Sequence, residues 1–176
     1  MKKLLIVVDY QNDFVTGSLG FPKAKELERR ICEKIQACRE NGDEVVFTFD
    51  THTEDYLNTQ EGKNLPVPHC VSGTDGWRLY GSVAALREEG DRQFKKPCFG
   101  SAELFDYLRG REWESVELVG LVSNICVISN AVLAKTALPE VPVLVDAACT
   151  ASYDEELNRK ALDILEGLQV IVTNRK

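Results

Sequence analysis

Two hydrophobic patterns alternate along the chain. Residues 4–8 form an unbroken apolar, β-branched run, as expected of a strand buried on both faces of a parallel sheet. Leu27, Ile31, Ile35 and Cys38 then recur at helical spacing, and Asn41-Gly42 ends that helix. Residues 45–49 read as a second buried strand. From 51 to 81 no period is sustained, and Gly62, Pro66, Pro68, Gly73 and Gly76 interrupt the segment. A loop of that length inside a compact chain is usually functional. Beyond it the pattern predicts a short helix over 82–89, a short strand over 93–96, and a helix over 102–108 with Leu104, Phe105 and Leu108 inward. A strand over 115–122, a helix over 125–137 and a strand over 141–145 follow. The last elements are a helix over 154–166, with Leu157, Ala161, Ile164 and Leu165 on one face, and a strand over 170–172.

Strands alternating with crossover helices imply a three-layer α/β/α sandwich of Rossmann-like type around a mostly parallel sheet, built as one domain over 1–176. In such sheets ligands bind outside the carboxyl ends of the strands. The strand exits are therefore the places to look for chemistry: Asp9, Asp50, Lys96, Val122-Ser123 and Asp146. Asp146 reads as structural, a carboxylate that orders the loop after its strand.

Composition narrows the function. A formal charge of −7 argues against nucleic acid or an anionic membrane surface as the main partner. Apolar runs are too short to span a bilayer. The basic start at Lys2-Lys3 and the apolar run behind it end in Asp9 with no small-residue cleavage site, which favours a first strand over a signal peptide. Six cysteines at irregular spacing, without an export signal or a CxxC pair, point to reduced thiols in the cytoplasm.

The two histidines, His52 and His69, both fall in the aperiodic segment. In Asp50-Thr51-His52 an extended backbone puts the carboxylate and the imidazole on one side, a donor set that suits zinc, iron or manganese. Cys126 follows a strand and a turn and falls at the start of the next helix, where Ser123 or Asn124 can cap. Free N–H groups there lower a thiol's pKa and can hold an oxyanion. Cys32, Cys38 and Cys149 read as buried apolar residues, and Cys98, beside Lys96 but off any helix end, ranks second as a nucleophile. With both histidines committed to the metal site, Asp9 is the best available base, and Lys96 supplies a fixed positive charge.

These residues recur in order as Asp9-x-Gln11-Asn12-Asp13-Phe14, Asp50-x-His52, His69-Cys70-Val71-x-Gly73-Thr74, Lys96-x-x-Phe99 and Gly120-Leu121-Val122-Ser123-Asn124-x-Cys126-Val127. In this the chain resembles the isochorismatase-like cysteine hydrolases, and within them the nicotinamidases. The resemblance implies Asp9 as general base, Lys96 as charge partner and Cys126 as nucleophile. It also implies a cis peptide at Leu121–Val122, with the N–H groups of Val122 and Cys126 as oxyanion donors. Asp50, His52 and His69 carry over as metal ligands. The family's fourth ligand varies: a histidine in some members falls at Asn58, and a glutamate in others corresponds best to Glu61. Many nicotinamidases carry an aromatic three residues before the second histidine; here it is Pro66, which leaves Phe14, Trp77 and Phe99 to cover a substrate ring.

The implied activity is hydrolysis of nicotinamide to nicotinate and ammonia, a step of NAD salvage, with one divalent metal, no organic cofactor and a homo-oligomeric enzyme. A carbamoyl or ureido hydrolase of the same superfamily would mostly lack the metal donors, and an isochorismate hydrolase would generally lack Cys126. A non-catalytic metal- or ligand-binding member would have no need of Asp9, Lys96 and Cys126 together.

Overall fold

The structure, a computed structural model, describes residues 1–175. Six strands, β1 (Lys2–Val8), β2 (Glu44–Asp50), β3 (Arg92–Lys96), β4 (Trp113–Leu121), β5 (Val143–Ala151) and β6 (Ile171–Thr173), form one sheet in the order β3-β2-β1-β4-β5-β6. Every pairing is parallel. β1 is central, and its side chains alternate between two cores: Leu4, Ile6 and Val8 face one layer, Leu5 and Val7 the other.

The helices close both faces. Ile31 and Ile35 of α3 (Glu28–Glu40) and Val83 of α5 (Gly81–Leu86) pack on the side of Leu5 and Val7. Leu104 and Leu108 of α6 (Ala102–Arg109), Ala131 and Ala134 of α7 (Ile128–Ala137), and Leu162 and Leu165 of α8 (Glu155–Gly167) cover the opposite face. The result is an α/β/α sandwich with a parallel sheet. Three short helices, α1 (Asn12–Val15), α2 (Pro22–Glu26) and α4 (Gln60–Asn64), are too brief to carry a period and escaped the sequence pattern. Among the described residues no helix is long and apolar enough to cross a membrane, and all six cysteines are free.

Two inward assignments and one strand end shift. Ile164 is 54% exposed, because Ala161, Leu162 and Leu165 form the buried stripe of α8. Phe105 is only half-buried under Arg109, and Tyr107 packs inward against Phe94 and Trp113 instead. β5 does not end before Asp146 but runs on to Ala151 through a bulge, where Leu118 pairs with Val145 yet Gly120 pairs with Thr150. Asp146 sits at this bulge, accepting from Ala148 N–H and from Asn174, each at 2.9 Å, and pairing with Lys34. It holds the bulge together and stays out of the crevice described below.

β1 and β4 leave no room for a side chain at Gly120, which pairs with Val8. Its φ is +109°, and a Cβ there would lie 2.1 Å from the Val8 carbonyl oxygen. Only glycine fits both the conformation and the space. Gly120→Ala should therefore destabilise the protein by at least about 2 kcal/mol in urea unfolding, and an unchanged midpoint would contradict this packing.

Candidate active site

The strand order runs outward from β1 in both directions, so a crevice opens at the carboxyl ends of the central strands. Asp9 leaves β1 in the left-handed region (φ 45°), and its N–H bonds the Thr48 carbonyl of β2 at 3.2 Å. Thr48 Oγ1 donates to Asp9 Oδ1 at 2.6 Å, which aims the other carboxylate oxygen at Lys96. Lys96 ends β3 in register with Asp50 at the end of β2. Its Nζ lies 2.5 Å from Asp9 Oδ2, 3.4 Å from Cys126 Sγ and 3.7 Å from Asp50 Oδ1, and it donates to the Cys98 carbonyl at 3.1 Å. The preceding Lys95 points away, over the Trp77 ring.

Cys126 lies in a π-helical turn, Ser123–Val127, that precedes α7 and is closed by Val127 N–H on the Val122 carbonyl at 3.1 Å. No side chain caps this turn: Ser123 Oγ and Asn124 Oδ1 are buried without partners, because the wide turn satisfies its ends through the backbone. The Leu121–Val122 peptide leading into it is cis. Asn130, one turn on and fully buried, donates to the carbonyls of Cys126 (2.8 Å) and Phe99 (3.1 Å), and accepts from Ser101 N–H. It ties the cysteine turn to the loop after β3, a link that no sequence pattern had signalled.

Charge is concentrated here among buried side chains. Burial alone would discharge Lys96, but Asp9, Cys126 and Asp50 hold its pKa above the ordinary lysine value. Burial raises the pKa of Asp9, against the pull of Lys96 and with the push of Asp50. The Cys126 thiol is raised well above its ordinary value, first by burial and then by the two carboxylates, with Lys96 opposing. This reverses the lowering expected from a helix start. A resting thiol that keeps its proton needs a base beside it, and Asp9 stands there.

A second cluster adjoins the first. One donor atom from each of Asp50, His52, Glu61 and His69 lies within 4.8 Å of the others. Asp50 Oδ2 is 3.0 Å from His52 Nε2 and 3.2 Å from His69 Nε2, and Glu61 Oε1 lies 3.7 and 3.6 Å from the same nitrogens. The His69 ring is fixed by Nδ1 donating to the Val67 carbonyl at 2.8 Å, which turns Nε2 toward the cluster. Burial opposes charge on His69, yet Asp50 and Glu61 push its pKa up to about 10, so the cluster attracts positive charge. Two imidazoles and two carboxylates facing one point suit a divalent ion. Asn58 turns instead to Asp55 and is not among the donors.

Both clusters border a cavity of about 400 Å³ lined by Phe14, Leu65, Phe99, Val122, Cys126 and Tyr153, with Asp50, Glu61 and His69 at one side. Trp77 does not line it. Its ring packs on Phe49 and its Nε1 donates to Thr51, so this aromatic buttresses the β2 exit. Tyr153, at the true end of β5, escaped the sequence reading because that strand was expected to stop at 145. A larger cavity, of about 720 Å³ between α2, β5 and α8, contains none of these groups.

The family model for the Isochorismatase domain matches residues 3–176. The chain belongs to the isochorismatase family. It is 26% identical to the nicotinamidase of Saccharomyces cerevisiae over 216 residues, covering 98% of this chain and 100% of that one. The crystal structure of nicotinamidase/pyrazinamidase PncA from Bacillus subtilis superposes with a TM-score of 0.86 at 32% identity, over 98% and 99% of the two chains. A pyrazinamidase/nicotinamidase from Streptococcus mutans gives 0.87 at 29%, over 97% and 99%.

In this isochorismatase-family chain the ion pair between Lys96 and Asp9 sits at 1% and 0% exposure. Lys96→Met should cost roughly 3–5 kcal/mol, because it leaves Asp9 buried without a counter-charge. Asp9 would then bind its proton still more tightly folded than unfolded, so the deficit should grow as pH rises above the ordinary carboxylate range. Urea midpoints at pH 5 and pH 8 check this, and a deficit that is equal or smaller at pH 8 would contradict it.

Proposed function

We propose that this protein is an amidohydrolase converting nicotinamide to nicotinate and ammonia. The observation that carries the reading is the meeting of a buried thiol, a buried carboxylate and a shared lysine beside a metal-donor cluster, with Cys126, Asp50, Glu61 and His69 lining one apolar cavity. The whole-length likeness to proteins named nicotinamidase supports the choice of substrate.

Asp9 takes the proton from Cys126 Sγ as the sulfur attacks the amide carbonyl carbon. The carbonyl oxygen gains the negative charge, and the N–H groups of Val122 and Cys126 are the donors assigned to it. As the C–N bond breaks, Asp9 returns the proton to nitrogen and ammonia leaves. Water, deprotonated by Asp9, then cleaves the thioester and regenerates the thiol. Lys96 stays charged throughout and keeps Asp9 able to cycle between its two states. Phe14, Val122 and Phe99 offer the ring an apolar enclosure, and Tyr153 takes the position in the lining that Trp77 does not fill.

Asp50, His52, His69 and Glu61 would hold the divalent ion, which supplies an electron-pair acceptor for a pyridine nitrogen. Bound there, it would help orient the ring so that the carbonyl meets Cys126. Nicotinate release assigns the reaction to NAD salvage, and the free thiols fit the reducing cytoplasm.

Ammonia release from nicotinamide tests the proposal. The wild-type protein should turn over, and Cys126→Ala should lose activity by at least about a thousandfold while its circular dichroism and melting stay unchanged. Cys98→Ala should keep most of the activity. Near wild-type rates in Cys126→Ala, or no ammonia from the wild type, would overturn it.

A further inference from the structure

The polar side chains of Gln11, Asn12 and Asp13 play no part in the chemistry above, yet each reaches the segment that carries the metal donors. Gln11 is fully buried. Its Oε1 accepts from Asp50 N–H at 2.9 Å, and its Nε2 donates to the carbonyls of Asp50 at 2.9 Å and Trp77 at 2.8 Å. One amide thus grips the backbone of a metal donor on both its N–H and C=O, as a neighbouring strand would. Asp13 Oδ2 accepts from Cys70 N–H at 2.8 Å, next in the chain to His69. That carboxylate is pressed against Gly76, where a Cβ would fall 2.1 Å from Oδ2. Asn12 makes a comparable bond, Nδ2 to the Asp75 carbonyl at 2.8 Å, but Asp75 adjoins no donor.

The donor set needs such anchors. Asp50 ends a strand, but Glu61 comes from a single helical turn and His69 from a loop whose ladder contacts among the described residues are two isolated bridges, His52 with Val71 and Gln11 with Leu79. Ordering free donors around an ion costs conformational entropy that a pre-built site avoids.

We propose that Gln11 and Asp13 are positioning residues for the metal centre. They hold Asp50 and His69 in place before the ion arrives and so set its affinity. The inference rests on the metal reading above and is testable apart from turnover.

Zinc affinity of the full chain, measured by competition with a chromophoric chelator, is the readout, with melting of the metal-free proteins recorded alongside. Gln11→Met and Asp13→Ala should each weaken zinc binding by roughly tenfold or more. Asp13→Asn keeps an acceptor for Cys70 N–H and should recover most of the loss. Asn12→Ala should stay within about twofold of wild type, since a turn that merely stabilises the fold would not single out the two anchors beside donors. If Gln11→Met does not fold, the Asp13 pair decides. Wild-type protein that binds no zinc would sink the metal reading itself. Wild-type protein that binds zinc, with Gln11→Met and Asp13→Ala unchanged or Asn12→Ala equally weakened, would overturn this inference alone.

Discussion

A single buried ammonium organises the crevice. Lys96 is 1% exposed and stands among Asp9, Asp50 and Cys126. Asp9 could not stay ionised at that depth without it, and the lysine could not stay charged without the carboxylates around it. The contacts come from β3, β2, β1 and the turn after β4, so the charge also fixes how four strand ends meet. The parallel sheet makes this possible, because it delivers all four carboxyl ends to one edge.

The same arrangement separates two tasks across Asp50. Its Oδ2 faces the two histidines and its Oδ1 faces Lys96. On one side lies a donor set that attracts a cation and can orient a ligand. On the other lies a thiol with an adjacent base, buried deeply enough that its pKa is pushed above the ordinary thiol value. In the proposed mechanism, substrate orientation and bond chemistry fall to different residues, yet a single carboxylate belongs to both.

Much of this was legible in the sequence because buried parallel strands leave an unmistakable mark. The run at residues 4–8 is apolar on both faces, so its polar successor Asp9 had to be a strand exit. The same logic brought out Asp50 and Lys96. Cys126 was found from its place after a strand and turn, but its proton affinity was misjudged, since a helix-start argument says nothing of the carboxylates that tertiary packing brings alongside. Trp77 was misplaced for a related reason: in an aperiodic segment, nothing local says which way a ring faces. Tyr153 was missed because the bulge at Asp146 mimics the end of a strand. Ile164 was read inward because its spacing from Ala161 is helical, although Leu162 fills that face. Glu61 and Asn58 could not be separated by spacing alone; the fold turns one to the histidines and the other to Asp55.

The central claim is that the donor cluster orients a ring nitrogen while Asp9, Lys96 and Cys126 break the amide. The most direct test compares kcat/KM for nicotinamide and benzamide, in chelator-stripped and zinc-reloaded protein. The account predicts that nicotinamide is preferred by at least about tenfold in the reloaded enzyme, and that stripping removes most of this preference by lowering nicotinamide turnover. Equal rates on the two amides in metal-loaded protein, or a preference that survives stripping intact, would contradict it.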